Sequence, residues 1–226
     1  MGAKIMSNNG KLPIKIKENY LFGIDYTQKI ASAQVKSAIL FAGLGADSLT
    51  VVRENIKSRD HTELLLKSMG AEINNNIDYC SIKKLTKPLD KFEMTIPGDP
   101  SNAAFFAAAT ALSPKKEIIL EEILINKTRT GFFSALKDMG VGVEYLDLEE
   151  RLGELVGNIK VTNKKLFGIT INHDKIPSII DELPILAVLA TQAIGRTTIV
   201  GAEELRYKET DRIHAIYINL KNMGAN

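Results

Sequence analysis

The sequence predicts an α/β (α+β) fold built from a repeated β-α-β-α-β-β unit, and three observations carry that expectation. A short phrase recurs, as Met1-Gly2-Ala3, Met69-Gly70-Ala71, Met139-Gly140-Val141 and Met223-Gly224-Ala225. Its intervals are too long for a solenoid repeat and suit a two-helix supersecondary module. An apolar, helix-like stretch followed by a β-branched strand precedes each of the last three occurrences. A polar, arginine-bearing turn then opens the helix that the phrase closes. The chain starts and stops at the same point of its repeat, so three modules cut from a longer array are expected.

Each element has a local reason. Residues 32–41, 101–112 and 181–193 are rich in Ala, Leu, Ile and Phe with few charges, as expected of first helices covered on most sides. Strands follow at 49–52, 118–120 and 197–200, where β-branched residues collect. Second helices open at Ser58-Arg59-Asp60, Thr128-Arg129-Thr130 and Glu209-Thr210-Asp211-Arg212. They close on the glycine of the repeated phrase, a residue that tolerates left-handed geometry at a helix end. Further strands are expected at 71–73 and 143–145, and the polar stretch 147–158 reads as a connecting loop. Near residues 90–99 a lysine-rich stretch runs into a strand and then into the turn dipeptide Pro97-Gly98. This places a domain junction there. Residues 1–96 would be the end of an N-terminal domain, one full repeat plus a tail, and 97–226 the first two repeats of a C-terminal domain.

With 226 residues, 45% hydrophobic and 25% charged, the chain can bury one large core or two modest ones. A net charge of +2 makes no general case for nucleic acid or membrane binding, so an anion site must come from local clustering. The single cysteine, Cys80, excludes an internal disulfide framework and fits a reducing, cytoplasmic compartment. No apolar run reaches membrane-spanning length and no signal peptide is visible. His61, His173 and His214 lack metal-ligand spacing, so no metal is expected. Gly43-Leu44-Gly45 lacks the setting of a dinucleotide or phosphate loop. With only 6% aromatic residues, Phe105-Phe106 and Phe132-Phe133 read as core.

The chemistry lies at the helix starts. Stacked modules would aim several helix N-termini in one direction, where free N–H groups and the helix dipole favour anions. Arg59, Lys208 and Arg212 at those starts point to a phosphate or carboxylate site, although each alone is also explained by a surface pair with Asp60, Glu63, Glu209 or Asp211. Ser32, Ala33 and Gln34 offer a hydroxyl, a nearly unshielded backbone and an amide. Ser32 is equally an ordinary N-cap. Asp181 occupies the equivalent place in the third repeat, as an acidic cap or as a general base facing the same cleft. Glu209 beside Lys208 is either a proton-transfer group tuned by its cationic neighbours or a first-turn glutamate favoured by the dipole.

Five ordered motifs carry a resemblance across essentially the whole chain: Ala31 to Ala38 (ASAQVKSA), Ser58 to Glu63 (SRDHTE), Pro97 to Ser101 (PGDPS), Asn126 to Gly131 (NKTRTG) and Glu204 to Arg212 (ELRYKETDR). In this order they resemble the 5-enolpyruvylshikimate-3-phosphate synthase family, also called 3-phosphoshikimate 1-carboxyvinyltransferases. The Ser-Ala-Gln form, with Ala33, is similar to the glyphosate-tolerant class. The resemblance implies an inverse α/β barrel of two domains, each of three units, of which this chain would be a truncated central part.

It also implies roles. Ser32, Ala33, Gln34, Arg59, Asp181 and Lys208 match positions that bind shikimate 3-phosphate, and Gln34 and Arg212 match positions that bind phosphoenolpyruvate. Asp181 matches the base that deprotonates the 5-hydroxyl, and Glu209 a proton-transfer residue. The implied partners are small molecules, with no cofactor, nucleic acid or membrane, and the full-length enzyme is expected to be monomeric. The family's N-terminal lysine segment, glycine-rich loop and C-terminal arginine and lysine motifs are absent, so this stretch alone is expected to be inactive. A related enzyme acting on UDP-N-acetylglucosamine would carry a cysteine on a mobile loop, unlike the strand-like setting of Cys80. An RNA-binding module would need a basic stripe.

Overall fold

The computed structural model describes residues 1–225. In chain order its elements are strands β1 (Lys4–Asn8), β2 (Lys11–Lys17) and β3 (Asp25–Thr27), helix α1 (Ala33–Gly43), β4 (Thr50–Arg53), α2 (His61–Ser68), β5 (Ile73–Asn75), β6 (Tyr79–Ile82), α3 (Pro100–Leu112), β7 (Glu117–Leu124), α4 (Gly131–Asp138), β8 (Gly142–Arg151), β9 (Glu154–Thr162), β10 (Thr170–Ile171), α5 (Leu183–Ala190), β11 (Thr198–Ile199) and α6 (Arg212–Asn222). Short 3₁₀ helices occupy His173–Ser178 and Glu203–Tyr207. The chain divides into two compact units, Met1–Glu93 and the residues from Met94 onward.

The repeat is visible in the topology. In the first unit β3, α1, β4, α2, β5 and β6 follow one another, and the sheet has the order β3-β4-β6-β5. Its first pair is parallel and the others antiparallel. The second unit repeats that order as β7-β9-β8, with Gly98 bridging parallel to Ile123 where β3 would lie. Pro97-Gly98 is therefore not a free turn but a remnant strand. A Cβ on Gly98 would come within 2.7 Å of Ile123 Cδ1 and 3.3 Å of Glu122 O, so a larger residue here would require the Ile123 side chain to shift. A third copy begins with β10 parallel to β11.

The repeated Met-Gly phrase closes three helices by the same mechanism. Ala71 N–H donates to Leu66 O at 2.9 Å and Gly70 N–H to Lys67 O at 3.0 Å, and the residues around Gly140 and Gly224 repeat both bonds. This double bond pattern needs a left-handed residue after the helix, supplied by glycines with φ of 86°, 99° and 84°.

The cores follow from the apolar faces. Leu40, Val52, Leu66, Ala71, Cys80 and Ile82 form that of the first unit. The second is larger and includes Phe132, Phe133, Leu136, Met139, Ile159, Val161, Leu183, Leu186 and Leu189.

Several expectations need correction. Phe105 and Phe106 are not core; they are 63% and 60% exposed. Ala103, Ala104, Ala107, Ala108 and Ala111 make the buried face of α3, since small side chains let the helix lie close to its neighbours. Nor are the first helices covered on most sides, because Val35 and Phe41 on α1 and Val188 on α5 are exposed. The polar stretch 147–158 is the β8–β9 hairpin, not a loop. Leu152 and Gly153 both take positive φ, 51° and 80°, which suits a two-residue turn. No strand forms across residues 91–96. The hairpin of β1 and β2 turns at Asn9-Gly10, a strong hairpin signal that the repeat-based reading passed over. The third first helix is shorter than expected, starting at Leu183 with Glu182, not Asp181, as its N-cap.

Candidate functional site

The expected residues gather into two groups, one in each unit. In the first unit Ser32 caps α1, its Oγ accepting from Val35 N–H at 3.4 Å. The Ser32 N–H donates to Gln28 Oε1 at 2.9 Å, so the turn before the helix is held from behind by a buried side chain. Ala33 and Gln34 form the first turn of α1. Arg59, half-buried, precedes α2.

What holds these two helix starts is a buried ion cluster that site reading from the sequence missed. Lys36, fully buried, lies 2.8 Å from Glu54 and 2.7 Å from Glu63. Ser58, beside Arg59, donates its hydroxyl to Glu54. Ser37 on α1 and Thr62 on α2 share a hydrogen bond of 2.6 Å. Burial works against the Lys36 charge, but Glu63 and Glu54 outweigh it and hold its pKa above the ordinary value. Burial raises the Glu63 carboxyl, with Lys36 opposing the shift. Glu63 thus pairs with Lys36. Cys80, buried behind these groups, has its thiol pushed up to about 12, chiefly by burial; it is a packing residue and not a nucleophile.

The second unit contains a cleft of about 730 Å³ whose lining includes Asp181, Glu209, Arg212, Arg129, Ser101 and Asp99. Arg212 opens α6 and grips Glu209 with two bonds of 2.8 and 2.9 Å. Its remaining arm reaches Asp181 at 3.3 Å. The hydrogen bond from Arg212 holds the Glu209 carboxyl below the ordinary value. That same bond, against a burial penalty, raises Arg212. Lys208 is turned to Glu204 and is not among the lining residues. Asp181, Glu209 and Arg212 are brought together, while Lys208, adjacent to Glu209 in the chain and helping to lower its carboxyl, pairs with Glu204.

Ser101 and Arg129 reach this cleft by local design. Asp99 caps α3 through Ser101 N–H at 3.2 Å. Asn126 Oδ1 accepts from Thr128 N–H at 2.8 Å and from the Thr128 hydroxyl at 2.6 Å, forming the turn that carries Arg129. Gly131 follows because a Cβ there would lie 2.3 Å from Ser178 Oγ. Arg129 then bonds Asp99 at 2.6 Å and Ser101 Oγ at 3.0 Å. The Ser101 hydroxyl donates to Glu182, which is buried. The starts of α3, α4 and α5 are thereby tied together beside the start of α6. Both motifs, PGDPS and NKTRTG, are plain in the sequence, but nothing local shows that they meet.

A family model described as EPSP synthase (3-phosphoshikimate 1-carboxyvinyltransferase) matches residues 1–226. The 3-phosphoshikimate 1-carboxyvinyltransferase of Persephonella marina is 48% identical over 99% of this chain and 53% of its own length. That of Thermodesulfovibrio yellowstonii is likewise 48% identical over 99% of this chain and 53% of its own length. The chain spans about half the length of the curated relatives it matches. The solved EPSP synthase of Acinetobacter baumannii superposes with a TM-score of 0.86 at 38% identity, covering 98% of this chain and 50% of that one. An enolpyruvyl transferase from Streptomyces tendae shares the fold, with a TM-score of 0.63 at 16% identity over 88% of this chain and 49% of that one. With five ordered motifs, a shared repeat topology and a family model and relatives that match this chain along essentially its whole length, the chain belongs to the EPSP synthase (3-phosphoshikimate 1-carboxyvinyltransferase) family.

Proposed function

We propose that these residues serve a 3-phosphoshikimate 1-carboxyvinyltransferase, which moves the enolpyruvyl group of phosphoenolpyruvate to the 5-hydroxyl of shikimate 3-phosphate and releases phosphate. The observation that carries the reading is the trio Asp181, Arg212 and Glu209 in one cleft, two carboxylates flanking a fixed cation at a helix start. Asp181 takes the proton of the 5-hydroxyl, whose oxygen adds to C2 of phosphoenolpyruvate. The methylene carbon gains a proton in the same addition, with Glu209 as the proton-transfer group. The tetrahedral adduct then expels phosphate and loses the proton gained at its methyl group, which restores the double bond. Arg212 holds the anionic end of phosphoenolpyruvate, and fixed charge of this kind stabilises developing negative charge with little reorganisation. Ser32, Ala33, Gln34 and Arg59 hold shikimate 3-phosphate from the first unit, with Gln34 also touching phosphoenolpyruvate. Lys208 contributes after exchanging Glu204 for substrate phosphate.

On this reading residues 1–96 end one domain and 97–226 begin another, and the 226 residues alone do not turn over. Ala33 supports assignment to the glyphosate-tolerant class. The enzyme works as a cytoplasmic monomer without a cofactor. The test is release of phosphate from phosphoenolpyruvate, dependent on shikimate 3-phosphate, by a full-length enzyme carrying this stretch. Phosphate release that depends on UDP-N-acetylglucosamine instead would replace the reading.

A further inference from the structure

We infer that Glu182 is a positioning residue for Asp181, acting through Ser101 and Arg129. The inference rests on the reading of Asp181 as the base. Glu182 is 4% exposed, and its carboxylate accepts the Ser101 hydroxyl proton from the first turn of α3. Ser101 Oγ in turn accepts from Arg129 at 3.0 Å, and Arg129 closes on Asp99 at 2.6 Å. Asp99 completes the circuit by capping the helix that carries Ser101. Three helix starts that are far apart in sequence are held by this one chain of bonds.

Asp181 is bonded covalently to the residue at the end of that chain. It sits just outside α5, directly before the N-cap, and its side chain is partly exposed with Arg212 as one partner at 3.3 Å. A carboxylate so placed needs its main chain anchored by the next residue. Glu182 supplies the anchor, since it is the N-cap of α5 and is buried against the start of α3. A charged acceptor makes the Ser101 bond a strong one, and the Arg129 cation beside it offsets the cost of burying the carboxylate. Glu182 need not touch substrate. Its work is to keep Asp181 in register with the hydroxyl it deprotonates.

The test is steady-state kinetics in a full-length enzyme that carries this stretch, with phosphoenolpyruvate and shikimate 3-phosphate as substrates. Glu182→Ala is expected to lower kcat by about 10- to 100-fold, the range for a base displaced by roughly 1 Å. KM for each substrate should stay within about 3-fold, because no substrate contact is removed. Glu182→Gln keeps a carbonyl oxygen for the Ser101 hydroxyl and should recover most of the loss. Ser101→Ala deletes only the hydroxyl, and should reproduce the fall in kcat in a protein whose unfolding temperature is unchanged, which separates positioning from misfolding. Normal kcat in Glu182→Ala and Ser101→Ala rejects the positioning role alone, as does a parallel decline of kcat and KM in Ser101→Ala. If the unmodified enzyme forms no product, the reading of Asp181 falls first and the positioning role with it.

Discussion

Arg212 reaches Asp181 at 3.3 Å with the one arm of its guanidinium that Glu209 does not occupy. One cation therefore serves two carboxylates from the two helix starts of the third repeat.

In a full-length enzyme, Asp181→Ala should lower turnover by about 10²- to 10⁴-fold, the usual worth of general-base assistance, with a much smaller effect on substrate binding. Arg212→Ala should instead raise KM for phosphoenolpyruvate strongly by removing a charge-assisted contact. Steady-state kinetics with each substrate varied separates the two, and near-normal values for both would reduce them to surface charges.

The Glu209 carboxyl is held below the ordinary 4.5 by its bond from Arg212. A group with a lowered pKa contributes stability above its unfolded value and loses it as pH falls through the folded value. The contribution of the pair should thus persist at neutral pH and disappear below 4.5. Carboxyl-carbon NMR should give a higher titration midpoint for Glu209 in Arg212→Ala than in the unmodified chain.

Lys36→Met should destabilise the first unit by about 3–5 kcal/mol at pH 7, the typical cost of removing one partner from a buried ion pair. The loss should shrink on moderate acidification. Burial raises the Glu63 carboxyl, and a carboxyl raised in the fold costs stability above its pKa and recovers it as pH falls. Urea unfolding followed by amide signals of β4 and β6 checks both statements, and an equal loss at both pH values would contradict them.

Gly131→Ala should destabilise the second unit by about 1–3 kcal/mol, the range for overpacking. The added carbon meets Ser178 Oγ at 2.3 Å and the Ser178 carbonyl oxygen at 2.8 Å, so a side-chain rotation alone does not relieve it. Thermal unfolding measures the effect, and an unchanged midpoint would show that the 3₁₀ segment yields freely.

The purified 226-residue chain should release no phosphate from phosphoenolpyruvate with shikimate 3-phosphate, because a catalytic set displaced by even about 1 Å loses most of its effect. Weak anion binding should remain at the start of α1, detectable as amide shifts at Ser32 to Gln34 on adding inorganic phosphate. Turnover near that of a full-length enzyme would overturn the expectation.

Local signals determined much of this protein without help from the fold. The Met-Gly phrases specify helix ends because the hydrogen bonds they make lie within six residues, as at Leu66 to Ala71. The β-branched runs and apolar helices specify the repeated unit, and the ordered motifs identify the family. The tertiary structure decided what depends on long-range meetings. Residues 147–158 look like a loop because their side chains are polar, yet pairing with a neighbouring strand makes them a hairpin. Phe105 and Phe106 look like core by composition, yet the fold chose the alanine face of α3 because only small side chains permit its close packing. Likewise Lys36 is a charged residue in an amphipathic pattern until Glu54 and Glu63 enclose it. Glu182 becomes significant only when Ser101, a distant residue in sequence, is placed against it. Hydrogen bonds within a turn are written in adjacent residues, whereas burial and charge pairing depend on which surfaces the topology brings together.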